Sequence, residues 1–277
     1  MDKLNFLTAG IPLAAAKGGY EKGFEILNEM NLDGMEVEFV HGVRMSEQSC
    51  QFLKEKVKND KVVLTAHGPF YINLNSKEED KIEASVKRII DTAQLTNSFG
   101  GYSITYHAAF YMGKDKETVF KQVYDQTAKI ITELEKQNIK IWIRPETTGK
   151  ETQWGPVEEI VRLSKEFEQV LPCVDFSHIH ARTVGEYNTY DEFCKILEYI
   201  GNELGEIALN NFHAHLAGIE YTKKGEKRHL ILSDSDMNYK DLLKAMKSFN
   251  IKGALVCESP NIETDTKILK DYYQSLG

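Results

Sequence analysis

The chain has 277 residues, 42% of them hydrophobic and 27% charged, a balance typical of a globular protein that can bury a sizeable core. No apolar run approaches the roughly 20 residues that cross a bilayer, and Met1 to Pro12 lacks a signal-peptide pattern, so a cytoplasmic chain without a membrane partner is expected. The formal net charge of −8 argues against a surface coated in basic residues for nonspecific nucleic-acid binding. A local basic rim can still attract phosphate, because carboxylates that bind cations contribute to that charge.

Apolar, strand-like runs lie at Leu4 to Thr8, Gly34 to Val40, Val62 to Ala66, Tyr102 to Tyr106, Ile139 to Ile143, Val170 to Val174, Ala208 to Ala214 and Gly253 to Cys257. A helical pattern follows each. It is clearest over Lys77 to Leu95, Lys116 to Lys136, Pro156 to Phe167, Tyr190 to Leu204 and Tyr239 to Phe249, with apolar residues at i, i+3, i+4 and i+7. Alternating strand and helix predicts an α/β fold with a parallel sheet covered on both faces. Eight repeats favour closure into a (β/α)8 TIM barrel over an open doubly wound sheet. No phosphate-cradling glycine motif follows the first strand. The length suits one barrel of about 250 residues. No Pro/Gly/Ser-rich linker interrupts the chain, so residues 1–277 are expected to form a single domain. Cys50, Cys173, Cys194 and Cys257 are widely spaced, without a CxxC pair, and are expected to be reduced thiols.

Six successive predicted strands end in a residue able to bind a metal: His67, His107, Glu146, Asp175, His215 and Glu258. Their spacing of about 30 to 43 residues is roughly one strand-plus-helix unit, so the donors recur at one place in the repeat. In a barrel those strand ends converge on one face, which predicts one polynuclear metal site. Glu146 ends an apolar strand, where a carboxylate is costly unless paired with a cation; Arg144 is the other available partner. Asp175 and His178, three residues apart, can reach two neighbouring ions, or Asp175 can cap the next helix. His213 and His215 alternate with period two and point the same way. His215, nearer the strand end, is the expected ligand, and His213 a supporting residue. Arg228 and His229 follow on a polar segment, Gly225 to Leu230, expected to be a long loop over the barrel mouth.

These segments, namely His67-Gly68-Pro69-Phe70-Tyr71-Ile72-Asn73-Leu74, the His107 strand end, Pro145-Glu146-Thr147, Asp175-x-x-His178, His215-Leu216, His229 and Glu258-Ser259-Pro260, resemble the endonuclease IV family. That family comprises zinc-dependent apurinic/apyrimidinic endonucleases with a TIM-barrel fold, and the likeness runs along essentially the whole chain. The resemblance implies that His67 and His107 bind a first zinc, that Glu146 bridges it to a second completed by Asp175, His215 and Glu258, and that His178 and His229 hold a third. It further implies a monomeric enzyme that hydrolyses DNA 5′ to abasic sites, with a water activated between two zincs as nucleophile. Arg44, Lys150 and Arg182 are candidate phosphate contacts, and Tyr71 and Arg228 further candidates for touching substrate.

The chain departs from the family where Asp-x-His is usual. It reads Lys227-Arg228-His229, and a lysine cannot replace the carboxylate, which leaves the adjacent Glu226 as the alternative donor. The segment Glu36 to Arg44 also lacks the polar and aromatic pattern of a DNA-intercalating loop. A second resemblance is to metal-dependent sugar isomerases and epimerases of related barrels. In these Glu146, Asp175, His215 and Glu258 would hold one manganese or magnesium, a reading that leaves His67, His107, His178 and His229 without a use. A barrel that lost activity and binds a partner is the third reading, and the complete donor set opposes it.

Overall fold

The computed structural model describes residues 1–15, 17–40 and 42–277; His41, in the segment after the second strand, lies outside the described residues. The strands are β1 (Leu4–Ala9), β2 (Gly34–Glu38), β3 (Val63–His67), β4 (Ser103–Tyr106), β5 (Ala109–Phe110), β6 (Trp142–Pro145), β7 (Gln153–Trp154), β8 (Val174–Asp175), β9 (Phe212–Leu216), β10 (Gly218–Thr222), β11 (Gly225–Leu230) and β12 (Gly253–Cys257). The helices are α1 (Gly19–Glu29), α2 (Glu47–Asp60), α3 (Glu79–Ser98), α4 (Lys116–Lys136), α5 (Val157–Ser164), α6 (Phe176–Arg182), α7 (Tyr190–Leu204), α8 (Glu206–Asn210), α9 (Tyr239–Ser248) and α10 (Glu263–Ser275). Eight of the strands run parallel and alternate with helices, which is the expected α/β arrangement.

The chain forms two compact units, Met1–Glu36 with Cys173–Gly277, and Val37–Pro172. In the first, the strand order is β2, β1, β12, β9, β8. The ladder pairs Ala9 with Glu36, Thr8 with Cys257, Val256 with His215, and Asp175 with His215. Gly253 opens β12 at φ +142, and a Cβ there would sit 2.0 Å from the Phe212 carbonyl oxygen, so only glycine lets β12 approach β9 this closely. In the second unit β3, β4 and β6 pair in parallel, with Thr65 opposite Ser103 and Ser103 opposite Trp142. The short strands β5 and β7 pair antiparallel, Ala109 against Trp154.

Local chemistry sets the helix ends. Asp115 caps α4 by accepting from the Thr118 N–H at 2.9 Å, and Val119, Val123, Ile130 and Leu134 then form its buried stripe. Thr189 and Glu192 make a reciprocal capping box at the start of α7. Both helices occupy the residues expected of them.

Three strands differ from expectation. The fifth begins at Trp142 and runs on to Pro145, the sixth shrinks to Val174–Asp175 with a single bridge between Ile143 and Val170, and the seventh starts at Phe212. Residues Glu206–Asn210 are helical instead, after Gly205 turns the chain at φ +77. A short apolar run such as Ile207-Ala208-Leu209 fits helix or strand equally well. The expected loop Gly225 to Leu230 is strand β11, paired antiparallel with β10.

Candidate metal centre

Three donors meet in the second unit. His67 is the last residue of β3, while His107 and Glu146 each follow the last residue of their strands, and the ladder continues past the strand ends through Gly68 N–H to Thr105 O at 2.8 Å and Glu146 N–H to Tyr106 O at 3.0 Å. That continuation holds the buried Glu146 carboxylate in place. Its Oε2 lies 3.1 Å from His67 Nε2 and 3.3 Å from His107 Nε2. His67 Nδ1 is 2.7 Å from the Gly68 carbonyl oxygen, which can only accept, so Nδ1 carries a proton. In the neutral ring Nε2 then turns a lone pair toward the carboxylate, an arrangement that a cation between them stabilises. Arg144, the alternative partner considered for Glu146, donates to Pro172 O at 3.0 Å and Tyr102 OH at 3.3 Å.

In the first unit Asp175 caps the following helix, one of the two alternatives expected of it. Oδ1 accepts from His178 N–H at 2.7 Å and so caps α6, while Oδ2 lies 3.2 Å from His178 Nδ1. Donor atoms of Asp175, His178 and His229 fall within 4.8 Å of one another. His229 comes from β11, and its Nδ1 is 3.2 Å from the Glu258 carbonyl oxygen.

The departure at Lys227 falls in the β10–β11 hairpin. Register shifts between Glu220 and Tyr221: Arg228 pairs with Glu220, but Glu226 pairs with Tyr221, so Lys227 is the extra residue of a β-bulge. In a regular strand residues 226 and 229 would face opposite sides; the bulge brings them into phase. Glu226 Oε2 accordingly lies 3.6 Å from His178 Nε2, and Lys227 turns away to an exposed pair with Glu220 at 2.5 Å. Arg228 joins Glu220 at 2.7 Å.

Glu36, the middle residue of β2, escaped the sequence reading. Its carboxylate is fully buried, with Oε1 2.9 Å from His215 Nε2 and Oε2 3.1 Å from His213 Nε2. Burial works to raise its pKa, but the charge of His215 and the hydrogen bonds of both histidines outweigh it and hold the group well below the usual carboxylate range. The available cue was the one that marked Glu146: an acid within an apolar strand. His215 Nδ1 lies 3.3 Å from Glu258 Oε1. Cys173, His213 and His215 form a further buried group of donors. The other cysteines are free thiols as expected; burial pushes Cys257 up to about 12.

Among the substrate candidates, Arg44 is exposed before α2. Tyr71 is 43% exposed, set edge-on to Phe70 and beneath the Arg88 guanidinium. No helix among the described residues is long and apolar enough to cross a membrane.

Imidazole nitrogens and carboxylate oxygens held at strand ends fit a divalent cation such as zinc or manganese. The arrangement defines an α/β protein whose parallel strands carry candidate metal-ligand groups at their C-terminal ends. The chain belongs to the xylose isomerase-like TIM barrel family, which it matches over residues 24–276. It is 44% identical over 273 residues, covering 99% of this chain and 98% of the other, to a Methanocaldococcus jannaschii protein called uncharacterized protein MJ0133. It is 22% identical to a probable endonuclease 4 of Nitrosopumilus maritimus, covering 65% of this chain and 71% of that one. Similar solved structures include endonuclease IV from Thermus thermophilus, at TM-score 0.75, 15% identity and coverage of 97% and 99% of the two chains. A D-tagatose 3-epimerase-like protein matches at TM-score 0.74, 18% identity and 98% of each chain. Proteins of both names thus share this fold.

Proposed function

We propose that the protein is a zinc-dependent phosphodiesterase that nicks DNA 5′ to abasic sites. The observation that carries this reading is the surplus of histidine-rich donor groups. His67 and His107 converge on Glu146, and His178 lies beside both Glu226 and His229. A sugar epimerase site needs one ion and would leave His67, His107, His178 and His229 without a use.

His67, His107 and Glu146 would hold one ion, Asp175, His215 and Glu258 a second, and His178, His229 and Glu226 a third. When bound, zinc lowers the pKa of water and draws charge from phosphate oxygens, so no side-chain base is required. The chain's own contribution is to fix the donors. Gly68 O and Glu258 O each accept from a histidine Nδ1, which leaves Nε2 of His67 and of His229 as the donor atom. Exposed Phe70 and Tyr71, following His67, offer an aromatic surface to an extruded nucleotide. An abasic nucleotide is cheap to extrude, so recognition needs no sequence code.

Elemental analysis of protein purified without chelator, with a nicking assay on an abasic duplex, tests the proposal. At least two zincs per chain and a 5′ incision are expected. One manganese or magnesium, no incision and epimerisation of a ketose would replace this reading with the sugar reading.

A further inference from the structure

His215 offers each ring nitrogen to a different carboxylate. Nε2 is 2.9 Å from Glu36 Oε1 and Nδ1 is 3.3 Å from Glu258 Oε1. The two acids are unlike: the Glu36 side chain is 0% exposed, whereas that of Glu258 is 14% exposed. Glu36 is also the more tightly fixed. Its own backbone oxygen accepts from Gly10 N–H at 2.9 Å, β2 is laddered to β1, and His213 occupies its second carboxylate oxygen. His213 and His215 stand on one face of β9, whose register with β12 places them opposite Ala254 and Val256. One carboxylate therefore spans two histidines and cannot turn without losing both.

We infer that Glu36 is a positioning residue for His215, keeping the proton on Nε2 so that Nδ1 remains a lone-pair donor on the Glu258 side. The inference rests on the proposed metal role of His215. Once Nδ1 gives its lone pair to a cation the imidazole has one proton left to place, and the nearer, wholly buried carboxylate of Glu36 faces the nitrogen that keeps it. A carboxylate behind a ligating histidine fixes its tautomer and ring orientation and makes it a stronger donor. His213, which faces Glu36 through Nε2 in the same way, braces the carboxylate rather than the metal. A purely structural acid would be satisfied by His213 alone; here the second oxygen is spent on the histidine whose far nitrogen faces Glu258.

Two measurements test this. In wild-type protein, with zinc and without it, nitrogen-15 imidazole spectra should show Nε2 of His215 protonated. An Nδ1–H tautomer would overturn the inference, and this readout needs neither a variant nor activity. Glu36→Gln can accept from only one histidine N–H, so its zinc affinity, measured by chelator competition, should fall by about 10- to 100-fold. Glu36→Asp, which keeps the charge, should recover part of that loss. Unchanged zinc affinity in a folded Glu36→Gln protein would sink the positioning role. A wild type with the stated tautomer that binds no divalent metal would instead remove the metal reading while leaving the hydrogen-bond assignment standing.

Discussion

Asp33 illustrates how single charges anchor this chain at the residue scale. It pairs with Lys270 at 2.9 Å and Lys3 at 2.6 Å and accepts from Phe6 N–H at 3.0 Å, while the buried Lys270 also donates to Asn31 O at 2.6 Å. Burial pushes the Asp33 carboxyl up, but the hydrogen bonds from Lys270, Lys3 and Phe6 prevail and hold it below its ordinary value. A depressed pKa means that the stabilisation is present above the unfolded value, near 4, and is lost as pH falls through the folded value. Asp33→Asn should therefore cost about 2 kcal/mol at pH 7 and progressively less below about pH 4, by urea denaturation at both ends of that range. Glu146 is the counterpart with a chemical role. Glu146→Gln keeps the volume but removes the charge facing His67 Nε2 and His107 Nε2, so more than about nine-tenths of the turnover should vanish, a barrier rise above ~1.4 kcal/mol, with thermal unfolding little changed. Retained turnover would show that this group does not hold a catalytic ion.

At the scale of elements, the β10–β11 hairpin carries the sharpest prediction. Because the bulge at Lys227 puts Glu226 in phase with His229 and beside His178, Glu226→Gln should lose one metal per chain or weaken it tenfold or more. Lys227→Asp should add none, since that side chain pairs outward with Glu220. Metal titration of both variants checks this, and a gain of zinc in Lys227→Asp would refute the bulge argument. The same hairpin shows where sequence reading stops. Gly-Glu-Lys-Arg-His has no apolar alternation, because β11 pairs with β10 outside the parallel sheet and only Gly225 in it is buried, so it reads as loop. By contrast α4 and α7, with cap and apolar stripe in agreement, were legible to the residue. Candidate donors at strand ends stand out in the sequence because a histidine or carboxylate closing an apolar run has no cheap alternative to a partner. Glu36 was not, because what reveals it is His213 and His215, far along the chain and brought near only by the ladder from β2 through β1 and β12 to β9.

For the whole molecule, the open choice is between a polyanion and a neutral sugar as substrate, and net charge frames it. At −8 the protein as a whole repels DNA, so attraction must come from local cations. Lys227 and Arg228 are engaged with Glu220, so the exposed Lys223 and Lys224 at the hairpin turn join Arg44, Lys150 and Arg182 as candidates. Two or three phosphate contacts, each contributing about 0.9 to the slope of log affinity against log salt, predict a loss of roughly 10- to 40-fold in affinity for an abasic duplex between 50 and 200 mM salt. Replacing Lys223 and Lys224 together by alanine should reduce that slope by about 1.8, raise KM and leave kcat nearly unchanged, because neither lysine belongs to a donor group. The measurement is incision rate against salt for parent and double variant. A neutral ketose releases no counterions on binding, so turnover insensitive to salt in both proteins would point away from DNA, whatever metal the strand-end donors hold.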